Sequence, residues 1–107
     1  MGNVYKRYKK GNDFLVNLTM TSETGHHLGD VDWECDFFTD GHHKLTIPKN
    51  KAFGIDNDHY LCPVVSRNFS EGILQADLKV KIPNSYFEDG IKNEIVKVEL
   101  DKIYIEE

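Results

Sequence analysis

Residues 74–90 read LQADLKVKIPNSYFEDG, and this stretch decides the fold. Leu74, Ala76, Leu78, Val80 and Ile82 alternate without interruption against Gln75, Asp77, Lys79 and Lys81. A two-residue period sends successive side chains to opposite faces, so the segment is a β-strand with one dry face and one wet face. Pro83, with no N–H to give to a ladder, stops it, and Asp89-Gly90 marks a tight turn.

Working outward, the same period recurs. Phe14, Val16, Leu18 and Met20 share one face of a strand over 14–20, and a loop of Thr, Ser, Glu, Gly and His follows over 21–29. Val31, Trp33, Cys35 and Phe37 give a strand over 31–39 whose outer face reads Asp32, Glu34, Asp36, Phe38. Asp40-Gly41 is a hairpin signal, and a short strand over 44–47 is closed by Pro48. Residues 49–58 read as a loop or weak edge strand. A strand over 59–66 carries Pro63, which requires an edge position or a bulge. The closing strand over 93–105 changes phase: Val96, Val98 and Leu100 share one face, Ile103 and Ile105 the other. Either a bulge near Asp101-Lys102 resets the register, or the strand end leaves its sheet and buries its second face against a partner; the bulge is the smaller change. No window offers an amphipathic helix. The expectation is an all-β chain, an immunoglobulin-like antiparallel β-sandwich of about seven strands, with one domain over 11–107 behind a basic arm over 1–10.

A 107-residue chain, 39% hydrophobic, has room for one core and no apolar run long enough to span a membrane. The opening MGNVYKRYKKGNDF has charge but no apolar block behind it, so the expectation is synthesis in a cytoplasm without a secretory signal. Net charge is −5, unevenly spread: Lys6, Arg7, Lys9 and Lys10 make the first ten residues +4, leaving 9 basic and 18 acidic residues, or −9, in the rest. Such an arm either pairs with an acidic surface on a neighbouring copy or is a solvated tail. Nucleic acid is disfavoured, because the acidic body would repel it. Tyr5 and Tyr8 interleave with the charges; they either stack on bases or, more often, pin the arm to a protein surface. Phe38, an aromatic on a wet face, is a candidate contact, as are Ile103, Tyr104 and Ile105 in the terminal strand.

Chemistry is hard to place. The five histidines include the adjacent pairs His26-His27 and His42-His43, which point to opposite faces of an extended chain and lack metal-ligand spacing. They read as loop residues, so no metal and no cofactor is expected. From Asp56 the sixth position of a calcium loop would be Leu61 where glycine is needed. Cys35 and Cys62 lie in apolar alternation and read as buried free thiols, with a bridge between packed sheets the lesser alternative. Ser66 and Ser70 lack a glycine-rich elbow, and no nucleophile–base pair recurs at useful spacing, so an enzyme is not expected.

Several anchors together resemble one group of proteins. Lys10-Gly11-Asn12-Asp13-Phe14 opens the first strand. Asp32-Trp33 leads to Asp36-Phe37-Phe38-Thr39-Asp40-Gly41, then Glu71-Gly72-Ile73-Leu74, then Ile82-Pro83-Asn84 with Phe87, Asp89 and Gly90. In order and spacing these resemble immunoglobulin-like modules in tail, baseplate and fibre proteins of phages and prophages from Bacteroides-type hosts. The resemblance implies a virion structural protein (head fibre, capsid decoration, connector or tail component) that contacts other virion proteins or copies of itself in a homo-oligomer or larger assembly. A carbohydrate- or host-surface-binding module is the rival reading; its usual stacking residue, Trp33, falls on the inner face by alternation.

Overall fold

The structure, a computed structural model, describes residues 5–19, 27–98, 100 and 102–107. It is all-β and sandwich-like. The strands in chain order are β1 (Lys6–Lys9), β2 (Asp13–Thr19), β3 (Asp32–Thr39), β4 (His42–Pro48), β5 (Phe53–Gly54), β6 (His59–Val65), β7 (Gly72–Ile73), β8 (Gln75–Pro83), β9 (Ile91–Lys97) and β10 (Ile103–Glu106). Six of them reach seven residues or more and coincide with the strong alternations; the others are short pieces. A four-stranded sheet runs β4-β3-β8-β9, and two three-stranded sheets run β2-β6-β5 and β1-β10-β7. The bulge expected near Asp101, the end of the first alternation at Met20 and the loop through His26 fall outside the described residues.

The inner faces meet in one core: Phe14, Val16 and Leu18 of β2, Trp33, Cys35 and Phe37 of β3, Cys62 and Val64 of β6, and Leu78 and Val80 of β8. Trp33, 2% exposed, lies edge-on to Tyr60 at 5.2 Å between ring centres and donates its indole N–H to the Leu28 carbonyl at 3.2 Å. An indole buried without that acceptor would leave an unpaired donor in the core. Asp40 (φ 54°) and Gly41 (φ 73°) both take positive φ, the type I′ hairpin that Asp-Gly favours. The hairpin arms reach further than expected, so His42 and His43 begin β4 instead of lying in a loop. Pro63 stands opposite Leu15 of β2, and β5 on the far side of β6 reaches only Tyr60 and Leu61. The proline therefore needs no donor there.

The alternating strand that opens at Leu74 is not continuous with the residues before it, for the chain changes sheets at Leu74. Ile73 pairs with Tyr104 of β10, whereas Gln75 pairs with Phe38 of β3. The partner strand divides too, between Asp77↔Lys97 and Ile73↔Tyr104. Four residues separate these pairings on one side and seven on the other, an excess of three. An odd excess inverts which side chains point inward. That is the phase change seen in the sequence, and it turns Ile103 (2% exposed) and Ile105 (0%) into the chain's own core.

Candidate functional site

The outer face of the β4-β3-β8-β9 sheet is built around a carboxylate. Asp36 points away from the core, yet only 8% of its side chain is exposed, because groups on the flanking strands close over it. Thr46 Oγ1, opposite it on β4, donates to Asp36 Oδ1 at 2.5 Å, and Lys79 Nζ on β8 reaches Oδ2 at 3.1 Å. His43 Nε2 lies 2.7 Å from Thr46 Oγ1 and 3.6 Å from Asp36 Oδ1. Burial alone pushes the Asp36 carboxyl up, but the hydrogen bonds from Thr46 and Lys79, with the Lys79 and His43 charges, outweigh it and hold it below the usual carboxylate range. Lys79 is raised by the same pairing. Asp77 sits directly across from Asp36, an opposition of like charges that Lys79 screens.

Two shallow clefts adjoin on this face. One, about 460 Å³, is lined by Glu34, Asp36, His43, Thr46, Lys79 and Ile95 together with Phe38 and Asp77. The other, about 500 Å³, opens where the strands divide, between Ile73, Leu74, Val98 and Leu100, with Tyr5 on its wall and Phe38 and Asp77 again shared. Phe38, nominated from its position on a wet face, thus stands at the junction of both and lies edge-on to His43 at 5.8 Å. Tyr5 and Phe38 are brought together; no other nominated contact residue lines either cleft.

The basic segment is not a free arm. Lys6–Lys9 is β1, running parallel to β10 with Lys6 opposite Ile103 and Lys9 opposite Glu106. Tyr8 stacks on Phe14 at 4.2 Å, the Arg7 guanidinium lies 4.8 Å from the centre of the Tyr104 ring, and Arg7 Nη1 meets Glu106 Oε1 at 3.0 Å. Stacking on Phe14 removes Tyr8 from any base-stacking role. Ile103 and Ile105 are interior, which corrects their nomination as partner contacts: the inverted register buries them in their own chain. Arg7, Lys9 and Lys10 remain exposed on the edge that β1 forms.

A second surface escaped the sequence reading. On the outer face of β2-β6-β5, Leu15 (57% exposed) stands opposite Pro63, and Phe53 (65%) opposite Leu61. Ile55 (59%), whose N–H bonds to the His59 carbonyl, extends the row. The signal was present in Tyr60-Leu61-Cys62-Pro63-Val64-Val65, which is apolar on both faces; a strand solvated on one face alternates instead.

The histidines and thiols separate. His27 Nδ1 meets Asp58 Oδ1 at 2.5 Å and is raised chiefly by that hydrogen bond; His59 Nδ1 bonds to Asp56 at 2.8 Å and lowers that carboxyl. No group of three or more His, Cys, Asp or Glu among the described residues is placed to hold a metal ion. Cys35 and Cys62 are buried free thiols; burial pushes Cys62 up to about 12 and Cys35 further, so neither is a nucleophile near neutral pH. No family model, curated protein or solved structure matches the chain.

Proposed function

We propose that this chain is a structural protein of bacteriophage particles, an immunoglobulin-like module serving as head fibre, capsid decoration, connector or tail and baseplate component. It works by protein–protein contact with other virion proteins or with copies of itself. The observation that carries the reading is the exposed row of Leu15, Phe53 and Ile55 gathered on one sheet face. Apolar side chains gathered on one sheet face mark a surface that is covered when the protein works. Purified particles from a host that carries the gene, analysed by quantitative mass spectrometry, should contain the chain in fixed copy number relative to the major capsid protein. Its absence from particles would refute the proposal.

A second reading draws on the Phe38 junction. A ring flanked by the Asp36 carboxylate, the Lys79 ammonium and the His43 imidazole supplies a stacking surface with both acceptors and donors, the combination that a host-surface carbohydrate requires. Trp33, at 2% exposure, cannot be its platform. Glycan-array binding that Phe38→Ala abolishes would favour this reading; an array without signal would remove it.

A further inference from the structure

We propose that His27 and Asp58 form a proton-operated clasp that holds the turn Leu28–Asp30 against the 55–59 loop in mild acid and loosens as pH rises above neutral. The inference goes beyond the assembly role and does not rest on it. His27 Nδ1 and Asp58 Oδ1 are 2.5 Å apart, and both side chains are about half exposed, so solvent protons reach the pair. Asp58 is itself set in place by Asp56, whose Oδ1 accepts the Asp58 N–H at 2.8 Å and is bonded in turn to His59 Nδ1 at 2.8 Å. Turn and loop also meet through groups that do not titrate. Gly29 N–H donates to the Asn57 carbonyl at 2.8 Å, and a Cβ at Gly29 would collide with the Asn57 side chain. Between these touching segments, His27–Asp58 is the contact whose strength follows pH.

The charges around the clasp set the direction of the switch. Asp58, by hydrogen bond and by charge, and Asp30, by charge, raise His27 above 6.5 against the desolvation that opposes them. The loop contributes Asp56, Asp58 and His59; the turn contributes Asp30, whose Oδ2 accepts from Asn57 Nδ2 at 3.3 Å. Asp32 at the start of β3 is engaged by the Trp33 N–H, and Lys49 reaches the Gly29 and Val31 carbonyls with its ammonium. Carboxylates ionise well below this range, so the imidazole is the member of the pair that switches. A raised imidazole stabilises the closed form fully below the unfolded value of 6.5 and loses that contribution as pH climbs through the folded value. Closure matters to the core through Leu28, which is fully buried and whose carbonyl accepts the Trp33 indole N–H at 3.2 Å. Loosening therefore reaches the end of the core where Trp33 meets Tyr60, while the strands stay paired.

Imidazole NMR titration and amide hydrogen exchange of the full chain, over about pH 5–8.5, test this. His27 should titrate above 6.5. Asp58→Asn should lower that midpoint by about half a pH unit or more. The protection factor of the Gly29 amide, corrected for the chemical rise of exchange with pH, should fall about threefold or more across the range, whereas that of Leu78 in β8 holds. In His27→Gln, Gly29 protection should sit at the low, loosened value at every pH. His43→Gln, on the other sheet, should leave the wild-type response intact. A His27 midpoint at or below 6.5, or one indifferent to Asp58→Asn, would overturn the inference. So would Gly29 protection that is flat with pH in the wild type, or that still follows pH in His27→Gln.

Discussion

Replacing Asp36 by alanine tests whether the closed carboxylate stabilises the β4-β3-β8 junction or merely decorates it. The side chain accepts from Thr46 at 2.5 Å and from Lys79 at 3.1 Å. Hydrogen bonds to a charged partner contribute about 1.5–3 kcal/mol each when buried. Lys79 is half exposed (49%), so water screens its share down to the ~0–1 kcal/mol of a surface pair. Thr46 keeps His43 as an alternative partner at 2.7 Å and is not orphaned. Removing Asp36 also relieves its opposition to Asp77, a gain of roughly 0.2–1 kcal/mol. The balance is a loss of about 1.5–2 kcal/mol at pH 7, measured by urea unfolding with Trp33 emission as the probe. The carboxyl sits lower in the folded chain than the ~3.9 of an unfolded one, so its stabilisation is complete above about pH 4–5 and disappears as pH falls through the folded value. The gap between wild type and Asp36→Ala should therefore be flat from about pH 5 to 8 and close below about pH 4. A loss under about 0.5 kcal/mol at neutral pH, or one that persists unchanged at pH 2.5, would refute the reasoning.

Three further outcomes follow from contacts of different kinds. Tyr8→Ala removes the stack on Phe14 and should cost about 1.5–3 kcal/mol in the same unfolding assay, whereas Lys9→Ala on the same strand should stay within ~0.5 kcal/mol. Gly41→Ala meets no atom within 4 Å, so its expected loss of about 1 kcal/mol is backbone strain at φ 73° alone, and Gly41→Asn should recover part of it. Neither Cys35 nor Cys62 should react with a thiol-specific disulfide reagent at pH 8 in the folded chain, and both should react in guanidinium; rapid labelling of the native protein would contradict their burial.

What the sequence made legible was periodic. The alternations around Phe14, Trp33 and Leu78 became β2, β3 and β8 with the expected residues inward, because one buried face pins strand register. The Asp40-Gly41 turn was equally readable, since few residue pairs tolerate positive φ twice in succession. What stayed hidden was long-range. Nothing in Lys6-Arg7-Tyr8-Lys9 announces a parallel partner almost a hundred residues away; a segment with three of four residues charged has no dry face of its own and is held by Phe14 and Tyr104. Asp36 was readable as an outward residue but not as a closed one, because its cover comes from the diagonal reach of Lys79 and from Thr46 across the hairpin. Of the candidate site, Phe38 could be placed on a wet face from alternation alone, but the cleft it shares with Tyr5 could not be read, because that cleft exists only where two strands divide.

That division is the link between fold and surface. Had β8 and β9 continued in register, Val98 and Leu100 would have carried the four-stranded sheet onward and closed the space beside Phe38. The three extra residues on the 98–102 side instead turn Ile103 and Ile105 inward and give β10 to β1 and β7, so the core gains two isoleucines while the sheet gains an opening. One odd insertion therefore produces three features together: a buried terminal strand, a docking edge for the basic segment, and a cleft with Phe38 on its rim. Deleting three residues from 98–102 should abolish all of them at once, exposing Tyr8 and releasing β1 while leaving the Leu15–Phe53 face untouched. The two outer surfaces of this sandwich thus have separate structural origins, and variants can perturb one without the other.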